Sequence, residues 1–115
     1  MTTLEVVPGT LNLKLYGGDD VPIIVNMINA AGEPATIDGT LKATIYAPYA
    51  SPTTLNPAVT GGTLGVYTVT FSKAITRAYA GLGDLAWDLQ LTNTAGKVRT
   101  VLKGIATIAV EVTND

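Results

Sequence analysis

Trp87-Asp88-Leu89-Gln90-Leu91-Thr92-Asn93-Thr94-Ala95-Gly96-Lys97-Val98-Arg99-Thr100-Val101-Leu102-Lys103-Gly104 decides the fold. Leu85, Trp87, Leu89 and Leu91 recur with period two, and Ala86, Asp88 and Gln90 fill the alternate positions. A strand sends alternate side chains to opposite faces, so this pattern predicts one buried and one open face. The polar stretch around Ala95-Gly96 reads as a turn into a second strand, which makes the segment a hairpin.

The same period recurs on both sides of it. Leu11, Leu13 and Leu15 alternate with Asn12, Lys14 and Tyr16, and Gly17-Gly18-Asp19-Asp20 ends that run with turn residues. A strand from Val21 to Asn29 follows, with Val21, Ile23, Val25 and Met27 on one face and Ile24, Asn26 and Ile28 on the other. Ala30-Ala31-Gly32-Glu33-Pro34 reads as a turn, and Leu41–Tyr46 as the next strand. Residues 47–62 carry Pro48, Pro52, Pro57 and Gly61-Gly62, and read as a long connection with a short edge strand at Thr54-Leu55. Tyr67, Val69 and Phe71 resume the alternation. Ser72–Tyr79 loses it, and Ser72 suits the cap of a short helical turn. Gly104 reads as a bulge between two strand patterns, with Ala106, Ile108, Val110 and Val112 defining a last strand. The expectation is an all-β protein: residues 1–115 as one antiparallel, immunoglobulin-like β-sandwich of seven to eight strands, with at most one short helical turn near residues 72–80. Trp87 is expected at the centre of its core.

Composition narrows function by what is missing. The chain has 115 residues, 47% of them hydrophobic and 14% charged, against about 25% charged in ordinary soluble domains. So apolar a chain is expected to bury surface against partners. There is no cysteine and no histidine, which removes disulfides, thiolate metal sites and the commonest general base. The seven basic residues are scattered, without the stripe that nucleic-acid binding needs. Neither a signal-peptide pattern nor a membrane-length apolar run is visible, so the expectation is no membrane partner and synthesis in the cytoplasm.

Candidate chemistry gives way to plainer readings. Asp19-Asp20, joined by Asp38 and Asp84, offers oxygens for calcium, yet fits a turn whose carboxylates bond local N–H groups. Asp84 and Asp88, four residues apart on a strand, are separated by about 13 Å, too far for a glycosidase pair. Ser72 and Lys73 lack a third group that would make a nucleophile and base. No catalytic, cofactor or metal residue is assigned, and no enzymatic activity is expected. The candidate interface residues are Tyr46, Tyr49 and Leu55 in the proline-rich region, with Leu4 and Val6 on a first strand available for exchange between subunits.

Four features in order carry a family resemblance: Gly18-Asp19-Asp20-Val21 before an apolar strand; Asn29-Ala30-Ala31-Gly32-Glu33-Pro34 followed by Ile37-Asp38-Gly39; the non-alternating Ala74–Gly81 segment; and Trp87-Asp88-Leu89-Gln90-Leu91 with Gly96-Lys97 and Thr100-Val101-Leu102-Lys103-Gly104. Across residues 10–112 the chain resembles the small Ig-like domains of tailed-bacteriophage virion proteins, including upper-baseplate N-terminal domains and head or tail accessory proteins. The resemblance implies a non-enzymatic structural role in a virion assembled in the bacterial cytoplasm. The partners would be capsid or tail proteins, in a homo-oligomer or symmetric assembly. Fibre proteins of that kind continue into receptor-binding regions, so a one-domain chain points to a capsid decoration or a tail or baseplate adaptor. A carbohydrate-binding β-sandwich that contacts host glycans is the alternative, and a row of exposed aromatics would distinguish it.

Overall fold

The structure, a computed structural model, describes residues 9–27, 33, 39–61 and 65–110. It is an all-β sandwich of two sheets. The larger contains β1 (Gly9–Thr10), β2 (Leu13–Tyr16), β4 (Gly39–Tyr46), β5 (Thr54–Leu55), β8 (Asp84–Asn93) and β9 (Val98–Ala109). The smaller contains β3 (Val21–Asn26), β6 (Ala58–Gly61) and β7 (Val66–Phe71), and α1 (Lys73–Ala78) closes one end. The strand orders are β1-β9-β8-β4-β5, with β2 also on β9, and β3-β7-β6.

The hairpin forms as its alternation predicts. Leu85, Trp87 and Leu89 are buried, and Leu91 is half-buried towards the turn. Asn93 holds that turn, its Oδ1 accepting from the N–H groups of Ala95 and Lys97, while Gly96 takes a φ of 83°. The inward residues of both sheets meet in one core: Leu13, Leu15, Ile45, Val69, Phe71 and Ile108 among them. Trp87 is 3% exposed and meets the Phe71 ring edge-on, centroids 5.7 Å apart.

Three expectations need correction. The first concerns Gly104, which is no bulge. β9 runs unbroken through it as one twelve-residue strand, and the irregularity lies between Leu89 and Gln90, opposite Val101. Gly104 is instead a place of close approach: a Cβ there would stand 1.9 Å from the Leu11 carbonyl oxygen. That oxygen accepts the Trp87 indole N–H at 2.9 Å, reaching over the strand between them. Having turned inward, the Leu11 carbonyl leaves the ladder, and Asn12 Oδ1 takes its place by accepting from the Ile105 N–H at 3.0 Å. This substitution separates β1 from β2, although both keep one register on β9: Thr10 faces Lys103 and Leu13 faces Ala106. The second correction is direction, because both segments run parallel to β9 and make the sheet mixed. No hairpin ties that edge to its neighbour, so nothing local imposes an antiparallel pair. The third is β6, where a connection was expected; Val59 alone turns its side chain toward the core.

The short helix is capped as its sequence suggests, with Ser72 Oγ accepting from the Ile75 N–H at 3.4 Å. Asp20 Oδ1 accepts from the Lys73 N–H at 2.6 Å, and buried Thr76 donates to the Asp19 carbonyl at 2.9 Å. Leu4, Val6, Asp38, Val112 and the turn at residues 30–34 apart from Glu33 lie outside the described residues.

Gly104→Ala should destabilise the fold by about 1–3 kcal/mol, the usual cost of forcing an extra carbon into a packed site. Urea unfolding of the variant beside wild type checks this, with Gly83→Ala, where a Cβ has open space but φ is positive, as a comparison for backbone strain alone.

Candidate interaction surfaces

The two outer faces differ in charge. The larger sheet presents Lys14, Lys42, Asp84, Asp88 and Lys103 outward from β2, β4, β8 and β9. The outward positions of the smaller sheet include Ile24, Asn26, Thr60, Thr68 and Thr70, and none of its three strands carries a charged residue. Ile24 is 66% exposed there. The alternation of β3 already placed Ile24 opposite the core-facing Val21, Ile23 and Val25; the missed signal was an isoleucine on an outward face without a neighbouring charge.

A groove of about 490 Å³ crosses the larger sheet, with Tyr46, Asp88, Lys103 and Ile105 around it and Asn12 at its rim. Its floor exists because Ala86 and Gly104 carry little or no side chain between larger neighbours. Asp88 faces Lys103 in register. Burial against the sheet pushes the Asp88 carboxyl above the ordinary carboxylate range, since the half-buried site solvates the charge poorly.

The predicted interface residues fall in different places. Tyr46 projects from β4 into this groove. Tyr49 is fully exposed at one end of the sandwich, beside Pro48 and Leu82 around a hollow of about 180 Å³. Leu55 is half-buried in β5 and packs against the core. Tyr16 is also exposed, but on β2, separated from Tyr46 by β9 and β8, so the two do not form a row.

Two of the carboxylates considered for chemistry are engaged locally. Asp20 caps α1, and Asp84 Oδ1 accepts from the Thr107 hydroxyl at 2.8 Å. No group of three or more potential metal-ligating residues occurs among the described residues. Comparison with protein-family models and with curated protein sequences returns no match for this chain.

Because the Asp88 pKa is raised on folding, the native state holds that proton more tightly than the unfolded chain does. The associated stability is present below the ordinary carboxylate range and is lost as pH rises through the raised value. Asp88→Asn should therefore melt above wild type near neutral pH, with the difference vanishing in acid; thermal scans at both pH values check this.

Proposed function

We propose that this protein is a non-enzymatic structural protein of a bacteriophage virion that works by assembly, as a capsid decoration or as a tail or baseplate adaptor. The observation that carries the reading is the uncharged outer face of the smaller sheet, in a chain with few charges overall. Such a face is poorly suited to lie bare in water and well suited to pack on another protein.

The immunoglobulin-like part of the proposal draws on strand order. With β3 to β9 taken as strands B, C, C′, D, E, F and G, one sheet reads G-F-C-C′ and the other B-E-D. Tyr79 stands at the E–F corner, where its hydroxyl donates to the Pro52 carbonyl at 2.6 Å. One feature departs from antibody domains, the tryptophan on the F position; the first described strands lie beside G.

The carbohydrate-binding alternative draws on the groove, where the Tyr46 ring stands near Asn12, Thr44 and Asp88. Against it, the one tryptophan is in the core and the exposed tyrosines are dispersed.

The test is mass spectrometry of purified particles released from cells that carry the gene. The virion reading expects the chain in stoichiometric amount, at a copy number fitting capsid or tail symmetry. Absence from particles, with binding to a glycan array that Tyr46→Ala abolishes, would replace it with the alternative.

A further inference from the structure

We infer that a second copy of this chain docks on the open edge of β3, pairing β3 with β3 antiparallel about Ile24 to make one continuous six-stranded sheet.

The argument starts from hydrogen-bond direction. Met27 donates its N–H to the Gly65 carbonyl at 2.7 Å, in line with the β3–β7 register that sets Val25 opposite Tyr67 and Ile23 opposite Val69. Backbone N–H and C=O of one strand residue point to the same side, so the odd positions serve β7 and the even positions face away. Pro22, Ile24 and Asn26 therefore direct their backbone groups to the edge, where no described strand pairs with them. Proline at position 22 fits this assignment, because its missing N–H falls on the unpaired side. Among the described residues the edge is open, since the first described strands sit on β9, in the other sheet.

An unpaired edge is normally guarded by charge, lysine above all. The edge strand β2 of the larger sheet carries Lys14, and β4, paired with β5 only at Ile45 and Tyr46, carries Lys42. β3 carries no charge, and β6, at the far side of its sheet, is a four-residue strand following Pro57.

Self-complementarity selects a second copy as the occupant. Centred on Ile24, two β3 strands exchange a reciprocal pair of bonds between the two Ile24 residues. Each Asn26 N–H then donates to the Pro22 carbonyl of the other copy, so the proline acts only as an acceptor and leaves no donor stranded. The two exposed Ile24 side chains become cross-strand neighbours. Two-fold pairing sets identical faces side by side, which a charged face would resist and this uncharged one does not.

The inference rests on the assembly reading and names one partner within it. The chain has no cysteine, so a single introduced thiol reports cleanly. In this register the two Ile24 Cα atoms lie about 5.5 Å apart, within the range of about 4.4–6.8 Å that a disulfide spans. Under mild oxidation the full-length Ile24→Cys variant should form a covalent dimer at least tenfold faster than Lys14→Cys. By light scattering, Ile24→Lys should lose the wild-type dimer while keeping its circular dichroism and melting temperature. Equal cross-linking rates in the two cysteine variants, or a wild-type dimer untouched by Ile24→Lys, would overturn the inference. So would a monomeric wild type that dimerises only after residues 1–8 are removed, because the edge would then be filled by the chain's own N-terminal segment. A wild type that stays monomeric would likewise overturn it, while leaving the virion reading itself to the particle measurement.

Discussion

The hydrogen bond from the Trp87 indole to the Leu11 carbonyl is the contact on which the arrangement of the larger sheet turns. A buried indole N–H without a partner costs about 1–3 kcal/mol, so a core tryptophan must find an acceptor. Here the acceptor belongs to the link between β1 and β2 on the far side of β9, and the indole reaches it only because position 104 has no side chain. The carbonyl it takes is then missing from the β2–β9 ladder, and Asn12 supplies a side-chain oxygen in its place. One polar requirement thus links the core, a glycine, a break in the edge strand and the seating of the first strand on β9.

That seating shapes the surface. The first described strands lie beside β9 and flank the long hairpin, and among the described residues β3 is an edge of the smaller sheet. The exposed charges follow the same division. The larger sheet spreads lysines and aspartates over its outer face, whereas the smaller sheet shows threonine, valine and isoleucine. The face best suited to burial and the unguarded edge therefore belong to the same three strands.

Much of this was legible in the sequence, because period-two alternation is a direct image of a sandwich with one face buried. Leu13 and Leu15, Val69 and Phe71, and Leu85, Trp87 and Leu89 all point inward as their spacing requires. Ser72 was readable as a cap because its hydroxyl acts locally. What escaped depended on partners distant in sequence. β6 presents only Val59 to the core between Pro57 and Gly61, too short for a pattern. Gly104 looked like a bulge because nothing local reveals that Leu11, ninety-three residues earlier in register with it, passes directly above. Aromatic residues in the proline-rich region drew attention to Tyr46 and Tyr49, while the feature that sets the smaller sheet apart is an absence of charge, visible only once its three strands are side by side.

Because Trp87 is the only tryptophan, its indole proton gives a single resonance, and hydrogen–deuterium exchange at that proton tests the central contact directly. The account predicts slow exchange, with the indole proton and the Ile105 amide protected together and both released in Gly104→Ala. An indole proton that exchanges as fast as free indole while the neighbouring β8 and β9 amides stay protected would contradict it.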